Sequence, residues 1–259
     1  MTALPPLKSP NRMPFLDGLQ YWLQALNLIT HPRLRWYVVL PLLCNVFTLI
    51  FAGYFLFSYV NDSWLVPLIS WLPDWADPFT GWIKGLLFGA VFTLMLPVIV
   101  FAFAILGNLL ASPFNGLLSE EVLVLYQPGF SGPPLTVSHL SKMMVRTLLR
   151  EFRKLTYYLP RALVLVVLSL IPLINLISPF LWLVFGAWIA ALQFLDYAAD
   201  NQGYSFEETL ASLQQQRVRT LGFGALILMV SLVPFLNFLV IPVTVIAATR
   251  YWLDRYQSA

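Results

Sequence analysis

Charged positions are missing from four long stretches of the chain, and these gaps predict its helices. No Asp, Glu, Lys or Arg falls in Trp36–Val60, Gly85–Ser119, Ala162–Leu195 or Thr220–Thr249. A helix needs about 20 consecutive apolar residues to cross a bilayer, so each stretch is long enough to enter one. The first two read as ordinary transmembrane helices over 36–60 and 85–110. The earlier carries Pro41 near its start. The later is expected to break at Ser112-Pro113, because proline lacks an amide proton and crowds the preceding turn. Trp36, Tyr37, Tyr59, Trp64 and Trp82 stand near the ends of these runs, where amphipathic rings favour the membrane–water interface.

The last two stretches have a different pattern. Ser169-Leu-Ile-Pro172-Leu-Ile-Asn175-Leu-Ile returns 62 residues later as Ser231-Leu-Val-Pro234-Phe-Leu-Asn237-Phe-Leu, the mark of an internal repeat. Each Pro-x-x-Asn interruption leaves about 10 to 17 residues on either side, roughly 15 to 25 Å of helix. That falls short of a hydrocarbon core of about 30 Å. The expectation is two re-entrant hairpins, 162–195 and 220–249, that enter the membrane and turn back.

Two polar pieces complete the helices. In 14–30 the residues Phe15, Leu19, Trp22 and Leu26 recur at helical spacing beside Leu16 and Leu23, which suits an amphipathic helix lying in the headgroup layer. Over 136–159, capped by Thr136 or Ser138, Lys142, Arg146, Arg150 and Lys154 follow one another at i, i+4 along one flank. This reads as a basic cytoplasmic helix. Residues 1–13 read as a flexible N-terminus, with no signal peptide in the first 30 residues. The fold expected is therefore an all-α integral membrane protein, a single membrane domain over 1–259. It has two long transmembrane helices, two re-entrant hairpins and an amphipathic N-terminal helix.

Composition agrees and adds orientation. Hydrophobic residues make up 59% of the chain and charged residues 10%, against about 25% charge in ordinary soluble domains. Fifteen Lys and Arg face twelve Asp and Glu; that small excess gives no nucleic-acid face. With hairpins in place of full spans, 14 of the 15 basic residues fall on the cytoplasmic side; with four full spans, 12 do. The hairpin reading fits the positive-inside rule better.

Candidates for catalysis are absent. One cysteine, Cys44, and two histidines, His31 and His139, give no disulfide and no metal cluster. The sequence has no G-x-S-x-G, P-loop or G-x-G-x-x-G, and the neighbours Glu120-Glu121 and Glu207-Glu208 point about 100° apart on a helix. No cofactor and no enzyme activity are expected.

Two charged regions stand where the apolar runs begin. Arg150-Glu-Phe-Arg-Lys to Arg161 leads into the first hairpin, and Asp196-Tyr-Ala-Ala-Asp200-Asn201 leaves it. The chain reverses between them, so they should meet at the hairpin base. Two readings stand there: an Arg161–Asp196 salt bridge with basic side chains reaching lipid phosphate, or a basic vestibule that concentrates a small anion. The other region is Ala25 to Arg35. Pro32 disfavours helix at His31, and a new helix follows with free amides at its start and Arg33 and Arg35 beside it. Amides plus guanidinium suit a tetrahedral oxyanion; equally, this is a helix–turn–helix corner with arginines on headgroups.

Several blocks resemble the CysZ family of bacterial inner-membrane sulfate permeases. They are Leu28-Ile-Thr-His-Pro-Arg-Leu-Arg35, Leu40-Pro-Leu-Leu-Cys-Asn45, Ser112-Pro-Phe-Asn-Gly-Leu-Leu-Ser-Glu120, Arg150-Glu-Phe-Arg-Lys154, Tyr158-Leu-Pro-Arg-Ala162, Gln193-Phe-Leu-Asp-Tyr197 with Asp200-Asn201, and the two Pro-x-x-Asn turns. The resemblance implies multi-pass residence in the bacterial inner membrane and sulfate uptake for cysteine biosynthesis. Its partners would be sulfate, membrane lipid and further copies in a homo-oligomer of two or more, with no nucleic acid. It maps the sulfate site to Leu26, Asn27, Leu28, Arg33 and Arg35, and a pathway or charge network to Asn115, Glu120, Arg150, Glu151, Arg161, Asp196, Tyr197 and Asn201. Asn27 departs from the family, whose members often carry a basic residue there. A doubly charged anion moving toward a negative interior meets about 4.6 kcal/mol per 100 mV, so uptake needs a proton link or an internal sink. The candidate acids for a link are Glu120, Glu151, Asp196 and Asp200. The alternatives are a non-transporting scaffold that uses the basic stripe, or a lipid-handling protein.

Overall fold

A computed structural model describes residues 13–71, 79–132, 136–233 and 237–257. Most of the expected flexible segment 1–13, and the bend residue Pro234, lie outside these. The described residues contain no strand. Their helices are α1 (Pro14–Leu28), α2 (Arg35–Val60), α3 (Val66–Ile69), α4 (Thr80–Tyr126), α5 (Val137–Ser169), α6 (Ser178–Asn201), α7 (Phe206–Gln215), α8 (Arg217–Ser231) and α9 (Asn237–Trp252). They fall into two compact units. One holds the residues up to Val39 and from Ser112 onward; the other is Leu40–Ala111.

The Leu40–Ala111 unit presents apolar side chains outward. Phe47, Phe51 and Phe55 line one face of α2 at i, i+4, with ring centroids 6.0 and 4.6 Å apart. Phe57 meets Phe88 at 5.1 Å. Ile50 and Tyr54 are about two-thirds exposed. A face this apolar suits lipid, not water. Among the described residues, two stretches of helix are long and apolar enough to cross a bilayer, Arg35–Ser63 here and Ser178–Asn201 in the other unit.

The other unit is a helix bundle around α6. That helix packs closely on α8 and α9, and α1 lies across α8 and α9. Ala187, Ala191 and Leu195 of α6 meet Phe223, Leu226 and Ile227 of α8 and Val243, Ile246 and Ala247 of α9 in a fully buried core. Small residues set the α6–α8 spacing: a Cβ on Gly224 would run into the Ala187 carbonyl. Gly224→Ala is therefore expected to lower stability by about 1–3 kcal/mol. The control is Gly53→Ala, whose added methyl would meet nothing within 4 Å. Thermal midpoints of the purified protein check this, and equal midpoints for the two variants would refute it.

Several expectations change here. The apolar stripe of α1 does not lie in a headgroup layer alone. Trp22, Ala25 and Leu28 are buried, and the Trp22 indole donates to Thr244 Oγ1 at 3.2 Å. Asp17 accepts from Arg255 at 2.8 and 2.9 Å, and the Tyr21 hydroxyl donates to Asp254 at 2.5 Å. Leu16 and Leu23 stay exposed. Ser112-Pro113 does not end α4, which continues to Tyr126. The lost amide costs about 3 kcal/mol, and burial of Leu118, Val122 and Leu123 beyond it offsets that loss. Nor does Pro160 divide α5, which fuses the basic helix to the first limb of the first hairpin; Arg161 Nη1 donates to Tyr157 O at 2.7 Å in that turn. Of the two offered caps, Thr136 is used, accepting from the His139 amide at 3.2 Å.

The first repeat forms a helix–turn–helix unit; in the second, α8 ends at Ser231 and α9 begins at Asn237, with residues 234–236 outside the described residues. The first bend is tied by a hydrogen bond between the Ser169 and Ser178 hydroxyls and one from Trp182 Nε1 to Ser169 Oγ, and the Asn175 amide donates to Ile171 O at 2.8 Å. Gly203, at φ +87°, turns the chain out of α6 where a side chain would be strained. Ser205 and Glu208 then start α7 with a reciprocal capping box, whose hydrogen bonds hold the Glu208 carboxyl below the usual carboxylate range.

Candidate functional site

The turn between α1 and α2 is built from backbone hydrogen bonds centred on His31. Its amide donates to Leu28 O at 3.0 Å, and its carbonyl accepts from the Leu34 and Arg35 amides at 2.9 and 3.0 Å. His31 Nδ1 accepts from the Arg33 amide at 3.4 Å. The amides of His31, Arg33, Leu34 and Arg35 are thus engaged within the turn. The side chains remain available. Arg33 and Arg35 are exposed and have no carboxylate within 4.0 Å among the described residues. The Arg35 guanidinium lies 5.5 Å from the Trp36 ring centroid.

Arg33 opens onto a cleft of about 610 Å³, lined also by Trp36, Tyr37, Glu120, Glu121 and Ser131. Leu26, Asn27, Leu28 and Arg35 do not line it. Leu28 is buried in the bundle, whereas Asn27 is exposed and gives its carbonyl to Thr30 Oγ1 at 3.3 Å. The Tyr37 hydroxyl donates to Glu121 Oε1 at 3.3 Å, and His139 Nε2 stands 3.9 Å from Glu120 Oε2. Glu120 lies beyond the apolar stretch 85–110. Burial pushes its carboxyl above the usual range, and His139 nearby partly opposes that. The cleft thus pairs one free guanidinium with two carboxyl groups, one of them inclined to hold a proton.

A second polar cluster lies inside the same unit, where α4, α5 and α6 meet. Arg150 is its hub. It donates to Asp196 through Nε at 3.0 Å and Nη2 at 2.7 Å, and through Nη1 to Asp200 at 3.0 Å and Tyr204 O at 2.6 Å. Lys154, only 1% exposed, bridges Asp196 at 3.1 Å and Glu151 at 2.9 Å and stands 4.6 Å from the Tyr197 ring centroid. Glu151 also accepts from Ser112, Gln193 and Tyr197 at 3.0, 3.1 and 3.2 Å. Arg146 reaches Asp200 at 3.1 Å and Asn201 at 3.2 Å, and Asn201 donates to Gly116 O at 2.8 Å. Asn115 is buried near the Tyr197 hydroxyl.

Of the residues expected in a pathway or charge network, this cluster brings together Asn115, Arg150, Glu151, Asp196, Tyr197 and Asn201. Arg161 does not bridge Asp196; its guanidinium lies 3.7 Å from the Tyr157 ring centroid, and Arg150 and Lys154 take Asp196 instead. Glu120 belongs to the Arg33 cleft. The three cations Arg146, Arg150 and Lys154 balance the three anions Glu151, Asp196 and Asp200, so the cluster is not a basic vestibule. Nor is the i, i+4 stripe a free docking face, because Arg150 and Lys154 point inward. Sequence reasoning missed Lys154 as an internal ion-pair partner. The signal was present: 150/154 and 196/200 share a four-residue spacing, so two helices in register can join them rung by rung.

The whole chain can be set beside known proteins. The model of the family described as Sulfate transporter CysZ/Etoposide-induced protein 2.4 matches residues 21–242. A protein named Sulfate transporter CysZ from Pseudomonas aeruginosa (strain LESB58) is 41% identical over 242 residues, covering 93% of this chain and 96% of its own length. One of the same name from Pseudomonas paraeruginosa is 39% identical with the same coverage. A third, from Pectobacterium atrosepticum, is 37% identical over 243 residues, covering 93% of this chain and 86% of its own. By its match to the family model and by these relatives, which it parallels nearly end to end, the chain belongs to the Sulfate transporter CysZ/Etoposide-induced protein 2.4 family.

Proposed function

We propose that this protein is a multi-pass transporter of the bacterial cytoplasmic membrane that takes up sulfate for cysteine biosynthesis. The observation that carries the reading is the identity of about 40% over nearly the whole chain to proteins named sulfate transporters. The free Arg33 guanidinium at an open cleft supports it, since guanidinium pairs well with a tetrahedral oxyanion. Arg33 and Arg35 hold the anion, and the Leu26–Leu28 end of α1 sets the turn that presents them.

Hairpin geometry supports half-penetration. Helices α8 and α9 have 15 and 16 residues, about 22 to 24 Å, short of a core of about 30 Å. In the first hairpin Arg161 stands eight residues before Ser169, about 12 Å from the bend, so a guanidinium at headgroup level places that bend near the bilayer midplane. At 24 residues, about 36 Å, α6 is the exception, long enough to cross and carrying the polar cluster from Gln193 to Asn201, so half-penetration rests on α8, α9 and the α5 limb. Hairpins that stop midway cannot line a complete route alone, so the working form is a homo-oligomer of two or more copies.

The proton link belongs to Glu120, which shares the cleft with Arg33; Glu151, Asp196 and Asp200 are held in ion pairs. Labelled sulfate entry into liposomes containing the purified protein tests both points. Entry well above that of empty liposomes is expected, accelerated by an inward proton gradient, and Glu120→Gln should remove the gradient effect. Entry equal to that of empty liposomes would refute transport. A gradient effect unchanged in Glu120→Gln would refute the link alone.

A further inference from the structure

A groove of about 800 Å³ runs between α5, α6 and α8, remote in sequence from the Arg33 cleft. Its walls are apolar: Val164, Leu181, Val184, Phe185 and Leu221. Val164 and Val184 are more than half exposed. Polarity is confined to one end, where Arg161 from α5 and Arg217 from α8 line it with Gln214. Neither arginine has a carboxylate within 4.0 Å among the described residues. Each spends one N–H on a backbone carbonyl, Arg161 on Tyr157 O at 2.7 Å and Arg217 on Gln214 O at 3.2 Å, and keeps its other donors.

The order along the groove matters. Arg161 precedes Val164 on α5, Arg217 precedes Leu221 on α8, and Val184 and Leu181 approach the bend on α6. Polarity therefore falls steadily from the arginine end toward the hairpin tip. Sulfate finds partners only at the mouth and none along the walls. The whole groove matches a molecule with an anionic head and a long apolar tail, lying tail-down beside the hairpin. Two guanidiniums offer a phosphate forked donors that a zwitterionic headgroup, carrying its own cation, satisfies less well.

We propose that this groove is a binding site for one anionic phospholipid, with its phosphate on Arg161 and Arg217 and an acyl chain along Val164, Val184 and Leu221. The inference rests on the membrane residence proposed above. The full chain in detergent is incubated with phosphatidylglycerol or phosphatidylcholine, and retained lipid is counted by native mass spectrometry, with sulfate binding titrated in the same samples. The expected result is at least a tenfold preference for phosphatidylglycerol. Arg161→Gln with Arg217→Gln should abolish the preference, and Val184→Trp should reduce retention of both lipids while sulfate binding stays intact.

Equal retention of the two lipids by the unaltered protein would overturn the proposal. So would displacement of phosphatidylglycerol by millimolar inorganic phosphate, or efficient disulfide coupling between two Val184→Cys copies, which would make the groove a subunit contact. Absence of sulfate binding in the unaltered protein would refute the transport reading and leave the lipid result standing.

Discussion

Asp196→Asn is expected to destabilise the protein by about 3–5 kcal/mol, the usual effect of removing one partner from a buried charge cluster. Asp196 is 1% exposed and is the acceptor that Arg150 and Lys154 share. Removing its charge leaves three cations, Arg146, Arg150 and Lys154, facing the two anions Glu151 and Asp200, with Lys154 almost wholly shut off from water. The surplus positive charge cannot reorient into solvent, so the loss falls on the fold. Arg161→Ala provides the comparison: that side chain is exposed and contacts only a ring and a carbonyl, and its removal should lie within about 0.5 kcal/mol of neutral. Lys154→Met combined with Asp196→Leu should lose less than the two single changes added together, because the pair interacts directly. Thermal unfolding in detergent measures all of these. An Asp196→Asn midpoint equal to that of the unaltered protein would show that the cluster does not hold the three helices together.

The second large effect concerns sulfate. A hydrogen bond to a charged group contributes about 1.5–3 kcal/mol, so Arg33→Ala is expected to weaken sulfate binding by at least about tenfold. The double change with Arg35→Ala should weaken it by about 100-fold or more. The ranking of the singles follows from the geometry: Arg33 lines the cleft, whereas Arg35 lies against Trp36. Isothermal titration with sulfate reads both, and an unchanged affinity in the double variant would move the binding site elsewhere. Thermal midpoints should hardly move, because neither arginine has a carboxylate partner to lose.

Much of the helical outline is legible in the sequence because charge is costly inside lipid and its absence is easy to read. The runs without charge contain most of α2, α6, α8 and α9, and the Pro-x-x-Asn spacing locates the first bend, where the Ser169 and Ser178 hydroxyls meet. Proline was a poorer guide. At Pro113 and Pro160 one backbone bond is lost, yet the helix persists, because local preference yields where flanking residues are buried or bonded elsewhere. The face of α1 was ambiguous for a similar reason: an apolar stripe looks the same whether lipid or α9 covers it. Site residues were legible as types but not as pairs. Arg161 and Asp196 flank the first hairpin symmetrically in sequence, but the partner of Asp196 is fixed by the register of α5 on α6, which places Arg150 and Lys154 opposite it. At His31 the end of one helix and the start of the next are legible, but not that the turn's amides bond within it to Leu28 O, His31 O and His31 Nδ1, a detail that depends on backbone torsions.

The close approach at Gly224 constrains how the protein can work. With no side chain between the backbones of α6 and α8 at that point, the two repeats are joined like leaves of a riveted plate, and interiors packed this tightly have little give. Prising the leaves apart to admit a solute would rupture a seam in which Gly224 lies directly against the Ala187 backbone. Motion within this unit is therefore expected at helices other than this pair.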